Sequence, residues 1–296
     1  MKNVIFTGSG VAVITPMNPD GSINYDELGR IISFQLINHT DAIVICGTTG
    51  ESSTMTDEEH IKAIDFTVKH VAGRVPVIAG VGSNHTDYAL WLSKEAAAVK
   101  ADALLHVTPY YNKTSQAGLV RHFNTVADAT DLPVILYNVP SRTGMDISNA
   151  SYIELAKHPN IVATKEASGN ISKIAQVAHD CGDNLTIYSG NDDQIVPIMS
   201  LGGKGVISVL ANILPQKTHD ICKLFLDGKT TESAALQLKL LPMINALFCD
   251  VNPIPVKEAM NLIGWAAGAC RLPLIEASES TTALLKKELL ALGMLK

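Results

Sequence analysis

Length, composition and charge bound the answer before any motif does. The chain has 296 residues, 47% hydrophobic and 18% charged, which supplies a full core and leaves no room for a large disordered region. A net charge of -6 with no basic stripe makes nucleic acid a poor partner, and no apolar run approaches the roughly eighteen residues that would suggest a membrane span.

At the N-terminus, Gly8-Ser9-Gly10 interrupts the chain before a signal-type run forms, and the triplet itself reads as a turn. Short β-rich apolar runs then recur at 11–15, 42–46, 75–79, 103–107, 133–137, 161–165, 185–188 and 205–209. Each is bounded by Gly, Pro, Asn or Ser, and none alternates, as expected of parallel strands covered on both faces. Between them, helical periodicity predicts helices over 25–39, 56–71, 86–100, 119–129, 148–157, 171–179 and 215–226. The second opens with Thr56-Asp57-Glu58-Glu59, a capping box. Eight strands alternating with helices predict an α/β fold, a (β/α)8 TIM barrel, over residues 1–228. No G-x-G-x-x-G follows a strand, which argues against a doubly wound sheet. Beyond it, 231–248, 255–265 and 280–295 read as a small C-terminal helical domain, residues 229–296. Five scattered cysteines, Cys46, Cys181, Cys222, Cys249 and Cys270, form no C-x-x-C pair and read as small hydrophobes of a reducing, cytoplasmic compartment.

Barrel sites lie where strands end, so the strand list becomes a list of candidates. Lys165 closes the apolar run of strand six. One reading pairs it with an acid such as Glu51 or Glu166; the other makes it a nucleophile, because an amine taken out of water sheds its proton and then attacks ketones to give an imine. Gly47-Thr48-Thr49-Gly50-Glu51 joins strand two to a helix. Such a loop suits an anion, and with no Walker lysine and Glu51 alongside, a small carboxylate fits better than a phosphate. Tyr137 ends strand five, and Tyr110-Tyr111 follow strand four. A phenol beside an imine can move protons, although a tyrosine is also a common packed ring. Arg142, in a Pro-Ser-Arg-Thr-Gly loop, is either a carboxylate fork or a solvated charge. The histidines form no H-E-x-x-H pattern, and neither metal nor organic cofactor is indicated.

Taken together, Gly47–Ser52, Thr108–Lys113, Tyr137–Gly144, Lys165–Asn170 and Asn252–Lys257 resemble the dihydrodipicolinate synthase (4-hydroxy-tetrahydrodipicolinate synthase) family of the pyruvate-dependent class I aldolases, essentially end to end. The resemblance implies a lyase of the diaminopimelate route to lysine, in which Lys165 forms an imine with pyruvate and its enamine attacks L-aspartate 4-semialdehyde. It implies Tyr137, Thr48 and Tyr111 as a proton relay, with Tyr111 supplied by a neighbouring subunit of a homotetramer. Thr48 and Thr49 would hold the pyruvate carboxylate and Arg142 that of the semialdehyde, with Gly190 and Ile207 lining the pocket. Ser52, His60, Asn84 and Tyr110 match a cleft where many relatives bind lysine. Tyr88 replaces the acid and Asp57 a histidine of that pattern, which predicts weak or absent lysine inhibition.

Two rivals remain. N-acetylneuraminate lyase and 2-keto-3-deoxygluconate aldolase share the lysine and tyrosine, but Thr48-Thr49 and Arg142 favour a short substrate ending in a carboxylate. A non-catalytic sensor on the same barrel would be expected to have lost Lys165 or Tyr137.

Overall fold

The computed structural model describes residues 2–295. Eight parallel strands close into a barrel in chain order. They are β1 (Gly8–Ala12), β2 (Ala42–Ile45), β3 (Val77–Gly80), β4 (Ala103–Val107), β5 (Val134–Asn138), β6 (Ile161–Glu166), β7 (Thr186–Ser189) and β8 (Gly205–Ser208). β8 returns to pair with β1, which closes the TIM barrel that the sequence predicts. Side chains fill the lumen and helices cover the outside, so neither strand face meets water and the runs carry no alternation.

One expectation is corrected. Gly8-Ser9-Gly10 is not a turn but the greater part of β1. The glycines answer to crowding: a Cβ on Gly8 would stand 2.1 Å from Asp41 Oδ2, and one on Gly10 would stand 2.9 Å from the Phe6 ring. The Asp41 carboxylate uses that space to accept from Ser9 N at 2.7 Å.

The helix over Asp57–Val71 starts as the capping box dictates, with Thr56 Oγ1 accepting from Glu59 N and the Glu59 carboxylate accepting from Thr56 N. Two helices escape the periodicity, Pro140–Thr143 and Ile195–Ser200, because neither is long enough to show a face. The first carries Arg142, which therefore stands on a helical turn rather than in an open loop.

The lumen is filled by small and branched residues, among them Ala12, Val44, Ile78, Ala103, Ile135, Ala163 and Ile207. Phe6 belongs to the same cluster, stacked on Tyr188 at 4.3 Å, and the Tyr188 hydroxyl donates to Phe6 O at 2.7 Å. The C-terminal segment forms helices over Thr230–Leu247, Ile254–Leu262 and Glu279–Ala291. Leu240, Met243, Leu285 and Leu289 of these helices join the same buried cluster as Val11, Ile43 and Ile64 of the barrel, so the core continues across residue 228. Among the described residues, no helix is long and apolar enough to cross a membrane.

Candidate active site

Strand alternation sends Lys165 into the lumen and Glu166, the next residue of β6, outward. Lys165 lies in register with Tyr137 of β5 and Tyr188 of β7. It is 6% exposed, and its Nζ sits 4.4 Å from the centre of the Tyr137 ring. Neither acid that could have paired with it does so. Glu51 binds Lys257 at 2.8 Å, whereas Glu166 accepts from Asn138 Nδ2 at 3.0 Å and from the Tyr152 hydroxyl at 2.6 Å. Among the described residues, no carboxylate lies within 4.0 Å of Lys165 Nζ. Gly190, whose N–H donates to Glu166 O at 2.8 Å, keeps the lysine's path open: a Cβ there would be 2.7 Å from Ala167 Cβ and 3.2 Å from Lys165 Cε.

Lys165 opens into a cavity of about 400 Å³, whose lining includes Thr48, Thr49, Tyr137, Arg142 and Gly190. The Gly47–Glu51 loop reaches it as a tight turn. Gly50 N donates to Gly47 O at 3.0 Å, and Thr15 Oγ1 donates to Gly50 O at 2.7 Å. Glu51 takes a left-handed backbone, φ 57°, and its buried carboxylate accepts from Lys257 Nζ and, at 2.9 Å, from Arg271 N. The loop is thus fastened from behind by the C-terminal segment. The same segment reaches the cavity itself through Phe248, Asp250, Val251 and Asn252. Asn252 Nδ2 donates to Thr49 Oγ1 at 2.9 Å, and Arg142 Nη2 donates to Asn252 O at 3.2 Å.

One more acid stands behind the lysine. Asp192 is buried and accepts from Val209 N and Leu210 N at 3.0 and 2.9 Å. Burial pushes its carboxyl pKa up, while hydrogen bonds from Ser208 and the two amides, and the charge of Lys165, pull the other way.

Two of the residues expected at the site stand apart from this cavity. Tyr111 is 92% exposed on a left-handed turn, φ 66°, and does not line it. Ile207 is buried in the lumen cluster and does not line it either. The candidate second cleft exists as a separate cavity of about 360 Å³ that brings Ser52, His60 and Tyr110 together with Tyr88. Asn84 does not line it; its backbone carbonyl accepts from Asn112 Nδ2 at 3.0 Å. His60 Nε2–H donates to Gly80 O at 2.7 Å, and burial lowers its pKa, so it stands neutral. Tyr88 donates to Asp57 Oδ1 at 2.5 Å, with its pKa pushed up to about 12 by burial first and by that carboxylate second. Thr48 and Arg142 line both cavities.

Sequence reasoning assigned no role to Asn252, Lys257 or Asp192. The run Asn252–Lys257 carried a family signal, but a distance of some two hundred residues from Thr49 and Glu51 hid what it touches. For Asp192 the neighbouring Asp193, which is exposed, masked the distinction between a buried and a solvated acid.

Comparison with known proteins decides the family. The family model described as "Dihydrodipicolinate synthetase family" matches residues 5–292. The chain belongs to this family. It is similar to the 4-hydroxy-tetrahydrodipicolinate synthase of Caldicellulosiruptor saccharolyticus, 58% identical over 98% of each chain. The crystal structure of dihydrodipicolinate synthase from Aquifex aeolicus superposes with a TM-score of 0.95 at 43% identity, covering 98% of this chain and 99% of that one. That of the Acinetobacter baumannii enzyme, complexed with pyruvate, superposes with a TM-score of 0.96 at 39% identity, covering 99% of this chain and 100% of that one.

Proposed function

We propose that the chain condenses pyruvate with L-aspartate 4-semialdehyde to give 4-hydroxy-tetrahydrodipicolinate, through an imine on Lys165. The observation that carries this reading is a buried lysine with, among the described residues, no carboxylate within 4.0 Å of its Nζ, held against a phenol and opening into a cavity of about 400 Å³. Lys165 Nζ attacks the ketone carbon of pyruvate and one water leaves. Loss of a methyl proton gives the enamine, whose carbon bonds to the aldehyde carbon, and the aldehyde oxygen takes a proton. The substrate's own amine then attacks the imine carbon, Lys165 departs, and the ring closes.

Tyr137 and Thr48 move the protons, since both border the cavity that Lys165 enters. Thr49 holds the pyruvate carboxylate, and Arg142 the carboxylate of the aldehyde. Gly190 keeps the lumen wall thin enough for Lys165 to extend. Tyr111 completes the relay in a neighbouring subunit of a homotetramer; its exposure on a fixed turn suits it to reach another copy. The covalent imine makes a separate cofactor unnecessary. The division at residue 228 is one of roles: residues 1–228 carry Lys165 and Tyr137, and 229–296 fasten the site through Asn252 and Lys257. Lysine inhibition is weak or absent, because Tyr88 lines the second cleft where an acid would be needed and its hydroxyl is spent on Asp57.

The rival is a lyase for sugar acids. A coupled assay with pyruvate and aspartate semialdehyde, run beside N-acetylneuraminate cleavage, separates them. Turnover with the semialdehyde alone is expected; cleavage of the sugar acid at a comparable kcat/KM would overturn the assignment. Addition of millimolar L-lysine to the first assay is expected to leave the rate unchanged, and strong inhibition would contradict the reading of the cleft.

A further inference from the structure

We infer that the Asn252 carboxamide reads the amino group of the aldehyde substrate, so that Arg142 and Asn252 together recognise an α-amino-acid head. The inference rests on the proposed function and specifies how its second substrate is chosen.

Asn252 is 5% exposed and belongs to the wall of the Lys165 cavity. Half of its carboxamide is used: Nδ2 donates to Thr49 Oγ1 at 2.9 Å. The other half is not. Among the described residues, the buried Oδ1 has no hydrogen-bond partner. A buried acceptor left unpaired is unusual in a folded protein and calls for a donor from elsewhere. Its surroundings indicate which donor. Arg142 Nη2 bonds to the backbone oxygen of the same residue at 3.2 Å. An α-amino acid carries carboxylate and ammonium on one carbon, so the groups that read them must be near neighbours. A guanidinium and a free amide oxygen hydrogen-bonded through one residue meet that requirement. Asp250 also borders the cavity but is exposed, where a carboxylate stays hydrated and discriminates weakly.

The test compares two aldehydes that differ only in the amine. KM is measured for aspartate semialdehyde, and the inhibition constant for succinic semialdehyde, in the parent enzyme, Asn252→Leu, Asn252→Asp and Asp250→Asn. In Asn252→Leu, KM for the amino-aldehyde is expected to rise about tenfold or more, the loss of a charge-assisted hydrogen bond. The succinic semialdehyde constant is expected to stay within about twofold, since its carboxylate still meets Arg142. Asn252→Asp keeps an acceptor oxygen and is expected to keep the preference for the amine, which guards against mistaking misfolding for lost recognition. Parallel loss for both aldehydes in Asn252→Leu, or loss of the preference in Asp250→Asn instead, would overturn the inference. A borohydride-trapped pyruvate adduct on every variant separates this failure from failure of the imine reading itself.

Discussion

Two buried lysines, Lys165 in the lumen and Lys257 behind the Gly47–Glu51 loop, differ in what surrounds the amine. Lys257 is 2% exposed and satisfied on two sides, by Glu51 Oε1 at 2.8 Å and Ala269 O at 2.7 Å. Lys165 is nearly as buried, yet it lies against a ring face and opens into a cavity, with no carboxylate within 4.0 Å of its Nζ among the described residues. A buried ammonium with a carboxylate partner is a fastener, because separating the pair strands a charge. A buried amine without one is free to bond to carbon. The partner, and not the burial, distinguishes them.

Predictions that break this contrast run from the lumen outward. Lys165→Ala is expected to lower turnover by about 10³-fold or more, with a fold that withstands denaturant as well as the parent's, because no pair is broken. Tyr137→Phe is expected to reduce kcat by about 10²–10⁴-fold while the pyruvate adduct still forms; an unfolded variant would instead make Tyr137 a packing residue. Gly190→Ala pushes a methyl toward Lys165 Cε, and displacement of a reacting atom on this scale is expected to cost about 10²-fold in kcat/KM. Lys257→Met reverses the pattern. It leaves Glu51 buried without its partner and is expected to cost about 3–5 kcal/mol in urea unfolding. Chain that remains folded should still form the adduct.

The smallest expected effect belongs to a pair at the opposite end of the barrel. His219 Nδ1 lies 2.9 Å from Asp41 Oδ2, and that hydrogen bond raises the histidine's pKa above its ordinary value. A raised folded pKa gives stability that is complete below the unfolded value of about 6.5 and is lost as pH rises through the folded one. His219→Gln should therefore be less stable than the parent in mildly acidic buffer and equal to it at alkaline pH. Equal deficits at both would show that packing, not charge, carries the contact.

Much of this was readable from the sequence, for identifiable reasons. The barrel announced itself because the strands are covered on both faces, so a series of short, mostly apolar runs without alternation stood out. The helix over Asp57–Val71 declared its first residue through Thr56 and Glu59. Lys165 and Tyr137 were legible as polar residues ending such runs. What stayed hidden depends on space rather than on order. Gly8 and Gly10 looked like a turn, because crowding by Asp41 and Phe6 leaves no local trace. Glu51 was a plausible partner for Lys165 until the fold brought Lys257 of the C-terminal segment behind the loop. The lone oxygen of Asn252 could not be foreseen at all, since being unpartnered is a property of surroundings.

The central claim is most directly tested by one measurement: incubation with pyruvate, reduction with borohydride, then intact mass and peptide mapping. The account predicts one adduct per chain, equal to pyruvate less one water plus two hydrogens, on the peptide holding Lys165 and absent from Lys165→Ala. No adduct, an adduct that survives that substitution, or one carried by Lys257 would contradict it.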